Sequence, residues 1–148
     1  MDNLLMQQTA RIRAYAQDNF RALLREAQGL LRHPFIVPGS ASYNNCLWDW
    51  DSWLTDVALR QLYADTGADA AELLPYEQGC ILNFLEHFDE ATGRMPICIT
   101  PDSVMRSLHP DAAPGEENTH KPCLAQHAAF VARHAKDALW LRPLFGRL

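Results

Sequence analysis

Apolar residues in this chain recur at three- and four-residue steps, and that period constrains its fold more than any other feature. Ala16, Phe20, Leu23, Leu24, Ala27, Leu30 and Leu31 share one such stripe, the pattern of a helix with one buried face. The spacing predicts a long first helix over Leu4 to Leu31. It should stop near "RHPFIVPGS", since Pro34 and Pro38 disfavour helical geometry in the residue before each and Gly39 suits a turn. Trp50, Trp53, Leu54, Val57, Ala58 and Leu62 form a second stripe. It predicts a helix with Asp49 or Asp51 at its start, where a carboxylate meets free backbone N–H groups. A third helix is expected from about Ala68 to His87, split or kinked at Pro75 and Gly79. A fourth opens near Lys121, with Pro122 in its first turn, and runs through "CLAQHAAFVARHA". "KDALWLRPLFGRL" reads as the opening of one more helix, bent at Pro143.

Residues 90–119 are the irregular part, and a loop this long in a compact domain is more often functional than idle. Within it "MPICIT" suits one short strand, but no partner strand is evident. Helix and loop therefore alternate without sustained β-type alternation. The expected fold is all-α, an antiparallel two-layer array of helices. At 148 residues the chain is one domain, or a piece of a larger one.

Composition removes several function classes. The chain is 48% hydrophobic and 21% charged, which fits a folded soluble domain. Its net charge of -5, with basic residues scattered, leaves no electrostatic footprint for nucleic acid or an anionic membrane. The N-terminal residues lack the pattern of a secretory signal and no stretch approaches a membrane span, so the cytoplasm is the expected compartment. Cys46, Cys80, Cys98 and Cys123 form no CxxC pair and read as free, mostly buried thiols. Without a Gly-rich phosphate loop, a GxSxG elbow or an HExxH motif, nucleotide-dependent and serine-hydrolase chemistry lose their usual support.

"SYNNCLWDWDSWLTD", residues 42–56, gathers three tryptophans, a tyrosine and several carboxylates. A sugar ring offers an apolar C–H face that aromatic rings cover and a rim of hydroxyls that carboxylates and amides bind. Trp48, Trp50 and Asp51 at a loop-to-helix junction suit such a site; the same pattern also fits core aromatics followed by helix-capping aspartates. A second cluster, "NTHKPCLAQHA", holds Lys121 and Gln126, which can bind a polyhydroxylated ligand or simply sit in water beside an ordinary cap. His120, Cys123, His127 and His134 are spaced for one helix face, yet they lack a tight HxxxH or ExxH pair. Neither a metal nor a cofactor is expected.

"YNNCLWDWDSW" followed by "THKPCLAQHAAF" resembles the trehalase-like inverting glycoside hydrolases, in particular the mannosylglycerate and glucosylglycerate hydrolase branch. The matching elements are a Trp-x-Trp-Asp-Ser motif and a later Lys-Pro segment, in which Cys123 stands where the family has a second proline. The resemblance implies an (α/α)6 barrel, of which residues 1–148 would be the N-terminal portion of the catalytic domain and an incomplete toroid. It implies a substrate with an α-glycosidic bond to a small conjugate, gripped by Trp48, Trp50 and Asp51, with Tyr43 at the rim and Lys121 at the second motif. The family's catalytic acid and base lie on later helices, so no catalytic residue is assigned to this chain. Glu77, Glu86 and Asp89 read as solvated surface charges and offer no substitute. The alternative is a non-catalytic helical module that binds a sugar or a protein, or self-associates through the open half of a barrel.

Overall fold

The computed structural model describes residues 3–39, 41–113 and 115–148. Four α-helices, α1 (Asn3–Asn19), α2 (Asp49–Thr66), α3 (Leu74–Glu86) and α4 (Leu124–Ala135), are joined by 3-10 turns and five two-residue strands. Strands β1 (Leu24–Arg25) and β2 (Phe35–Ile36) pair antiparallel, and β3 (Leu47–Trp48), β4 (Cys98–Ile99) and β5 (Val104–Met105) form a second antiparallel sheet in that order. The fold is thus mixed α/β, which corrects the all-α array expected from the sequence, and no toroid is present among the described residues. The physical reason is length: a two-residue strand cannot display a two-residue period, so its apolar residues read as part of neighbouring stripes. "MPICIT" does find partners, on both sides: Cys98 lies opposite Trp48 in β3 and Met105 in β5.

The first helix ends twelve residues sooner than its stripe predicts. Beyond Asn19 the chain tightens into a 3-10 turn over Phe20–Leu23 and becomes extended at Leu24. Leu24 and Arg25 then pair with Ile36 and Phe35. None of the residues of α1 is buried. Phe20 begins the core instead, its ring edge-on to Tyr63 at 4.9 Å.

Helix α3 is the centre of the molecule, with β2 on one side and α4 on another. Pro75 sits in its first turn and starts the helix rather than breaking it, since the missing N–H has no helical partner there. Gly79 does not kink it. A Cβ at that position would stand 1.8 Å from the Pro34 carbonyl oxygen, so glycine is what lets the 33–36 segment lie against the helix. Asn83 closes the contact, accepting from His33 N–H at 3.1 Å and donating to His33 O at 3.0 Å.

Helix α2 is inverted relative to its sequence stripe. Its inward face carries Asp49, Ser52, Asp56, Leu59 and Tyr63, while Trp50, Leu54 and Val57 face outward, 48%, 52% and 40% exposed. Carboxylates on a buried face require partners. Asp56 finds them on α3 and α4: His127 Nε2 lies 2.9 Å from Asp56 Oδ2, and the Asp56 carboxyl is hydrogen-bonded to that of Glu77. Glu77 in turn receives both guanidinium arms of Arg60. Glu77 is fully buried, which corrects its reading as a solvated surface charge. These four residues tie α2, α3 and α4 together.

The last segment also departs from expectation. Residues Leu139–Leu144 form a 3-10 helix that contains Pro143, and Leu141 anchors it in the core. Among the described residues no helix is long and apolar enough to cross a membrane.

Candidate functional site

The turn 41–46 and the start of α2 enclose a small hollow. Its volume is about 140 Å³ and its walls are Pro38, Tyr43, Trp48 and Asp51. A short 3-10 turn, Ala41–Tyr43, presents Tyr43, and Cys46 N–H closes it on Tyr43 O at 3.2 Å. Strand β3 fixes Trp48 through its pairing with Cys98. The Tyr43 and Trp48 rings meet edge to face, with centroids 5.7 Å apart and planes at 86°. That geometry is favoured between aromatic quadrupoles and leaves ring surface turned to the hollow. The Trp48 indole nitrogen is buried without a partner, so a donor waits beside this wall.

Asp51 supplies the acidic wall from the first turn of α2. Its pKa is raised above the ordinary carboxylate value, chiefly by burial and then by the charge of Asp49, while the Lys121 ammonium works against the shift. The indole N–H of Trp50 hydrogen-bonds the Asp51 side chain. Trp50 is therefore a support for Asp51 and not a wall of the hollow, although the sequence pairs it with Trp48 as a sugar-covering ring.

Asp49 has a separate task. It is buried and accepts from the backbone N–H of Lys121 at 2.8 Å, so it fastens the entry of α4 to the entry of α2 rather than capping a helix by its side chain. The Lys121 ammonium donates to Asn118 Oδ1 at 2.6 Å. The two sequence clusters, 42–56 and 118–128, thus do meet, but through Asp49 and the Lys121 backbone. Of the residues named from sequence, Tyr43, Trp48 and Asp51 surround one hollow; Trp50 and Lys121 stand behind Asp51; Gln126 is exposed on α4 and lines neither cavity.

Pro38 is the wall residue that sequence reasoning used only as a helix stop. Together with Asp51 it also borders a larger groove of about 700 Å³ between α1 and α2, where Tyr15, Leu23, Leu54 and Leu62 give an apolar lining. The outward stripe of α2 is thus one wall of this groove.

The spaced histidines separate. His120 lies ahead of α4, and its Nδ1–H donates to Pro96 O at 2.6 Å; Nε2 is then an unprotonated, buried nitrogen without a partner, and burial lowers the pKa. His127 bonds Asp56, and His134 Nδ1 lies 2.9 Å from Phe130 O. Among the described residues no three His, Cys, Asp or Glu side chains are arranged to hold a metal ion. Compared with protein-family models, curated proteins and solved structures, the chain matches none.

Proposed function

We propose that this chain carries a pyranose-binding hollow and serves a glycoside hydrolase acting on α-glycosidic bonds of small sugar conjugates, of which mannosylglycerate and glucosylglycerate are the first to test. The observation that carries this reading is the convergence of Tyr43, Trp48 and Asp51 on a hollow of about 140 Å³. In it the aromatic edges cover the C–H face of one ring, and Asp51 accepts from its hydroxyls. Trp50 keeps the Asp51 carboxylate from turning away, and the nearby Lys121 charge favours its ionised form. Inverting hydrolysis also needs a general acid and a general base about 6.5–9.5 Å apart around a water molecule. We assign neither role to a residue of this chain, whose part is to grip and orient the sugar.

A second reading, a non-catalytic module that binds a sugar or a protein or self-associates, is favoured by a different observation. Met6, Ile12 and Tyr15 on α1 are 58%, 70% and 71% exposed, an apolar display that a lone domain gains nothing by keeping.

Titration with methyl α-glucoside, methyl α-mannoside and the two glycosylglycerates, followed by indole resonances, tests the first reading. Saturable shifts of the Trp48 indole signal are expected. Unmoved Trp48 signals with all four ligands would remove the sugar reading. Concentration-dependent association by light scattering, lost on Ile12→Asp, would then support the second.

A further inference from the structure

Two thiols stand directly behind the Trp48 wall. Cys98 is opposite Trp48 in the β3–β4 register, and Cys46 is two residues before Trp48, hence on the same side of the strand. That places the two cysteines on a diagonal across the pair, within reach of each other's side chains. Their side chains are hydrogen-bonded to one another, and both are free thiols. Cys46 is half-buried, whereas Cys98 is 2% exposed, so the two differ in access to a solute. The other two cysteines are placed differently: Cys80 is fully buried with its sulfur accepting from Ile36 N–H at 3.2 Å, and Cys123 is buried at the entry of α4.

We propose that Cys46 and Cys98 are a redox-active dithiol that hydroperoxides convert to an intrachain disulfide, clamping the Tyr43 turn to β4. In the first step the Cys46 sulfur attacks the outer peroxide oxygen and the O–O bond breaks. The departing oxygen leaves as water or alcohol with the thiol proton, and Cys46 becomes a sulfenic acid. In the second step the Cys98 sulfur attacks the Cys46 sulfur, the S–S bond forms, and the hydroxyl leaves as water with the Cys98 proton. Two thiols lose two electrons in total and one hydroperoxide gains them. Burial pushes the Cys98 thiol up to about 12, which keeps its thiolate scarce and makes the second step the slow one. Because Cys46 N–H closes the turn on Tyr43 O, the new bond holds Tyr43 and Trp48 in fixed relation across the hollow. The inference stands on the thiol pair and does not depend on what the hollow binds.

The test exposes the full chain to excess hydrogen peroxide, counts thiols after denaturation, and maps cross-linked peptides by mass spectrometry. The expected result is a fall from four titratable thiols to two, a peptide pair joining residues 46 and 98, and full recovery with dithiothreitol. Cys46→Ser, a change at a half-exposed position, should remove the cross-link while the circular dichroism stays that of the parent. Cys98→Ala should leave a sulfenic acid at Cys46 that dimedone traps. Four surviving thiols, oxidation of Cys46 beyond the sulfenic acid without the 46–98 pair, or cross-links through Cys123 or between chains would each overturn the proposal.

Discussion

His127 Nε2 and Asp56 Oδ2 lie 2.9 Å apart with both side chains buried, joining the middle of α4 to the middle of α2. The histidine is neutral there, because burial pushes its pKa down to about 4. Nε2 therefore carries the proton that it donates to Asp56, and the pair is a hydrogen bond to a carboxylate rather than an ion pair. Asp56 then meets a second carboxyl, Glu77, and two acceptor groups in contact require a proton between them. Glu77, pushed up to about 7 chiefly by burial, supplies it, while Asp56 is raised to about 6 for the same reason.

Stability should rise on mild acidification. Glu77 and Asp56 have folded pKa values near 7 and 6 against ordinary values of 4.5 and 3.8, so the folded chain holds protons in that window that the unfolded chain has lost. His127 acts in the opposite sense, since between 6.5 and about 4 the unfolded chain holds a proton that the folded chain lacks. Two groups gaining protons on folding outweigh one losing a proton. Urea midpoints should therefore be higher at about pH 5.5 than at about pH 7.5, and Asp56→Asn should flatten the difference. A midpoint that drops steadily over this range in the parent chain contradicts the assignment.

Removing Glu77 should cost more than its surface reading allows. Glu77→Ala leaves the Arg60 guanidinium, whose side chain is only 11% exposed, without its two-armed acceptor. A loss of about 3–5 kcal/mol is expected from breaking a buried charged contact on one side only. A surface carboxylate such as Glu90, 70% exposed in its pair with Arg147, should change stability by less than about 1 kcal/mol. Equal effects in parallel urea titrations would mean that Glu77 is solvated in solution.

Two glycines should separate steric need from backbone need. Gly79→Ala drives a methyl group into the Pro34 carbonyl, and a loss of about 1–3 kcal/mol or more is expected. Gly67 ends α2 with φ of +67° and open space around it, so Gly67→Ala should cost only about 1 kcal/mol, by backbone strain alone. Thermal midpoints of the two variants give the comparison, and the order must be Gly79 worse than Gly67.

At the hollow, Trp48→Ala should abolish glycoside binding and Asp51→Asn should weaken it about tenfold, the worth of one charge-assisted hydrogen bond. Trp50→Phe removes the indole N–H that holds Asp51 but none of the hollow's surface, so a smaller loss is expected. Calorimetric titration with the best ligand of the series reads all three. Binding that depends on Trp50 more than on Trp48 would reverse the assignment of wall and support.

The sequence by itself determined where helices run in the middle of the chain and that aromatics and carboxylates gather around residue 50. The periods of α2, α3 and α4 are long enough to read, and Pro75 and Pro122 mark helix entries by removing an N–H that has no helical partner. It could not tell which face of α2 turns inward. Hydropathy points Trp50, Leu54 and Val57 to the core, but Asp56 has His127 and Glu77 waiting on two other helices, 71 and 21 residues away in the chain. The strands were hidden for the same reason: β3 and β4 are two residues each and exist because segments some fifty residues apart hydrogen-bond to one another. Local pattern sets what a segment can become. Only packing supplies the partners that make a buried carboxylate or a two-residue strand worth forming, and here those partners decide which side chains reach the hollow.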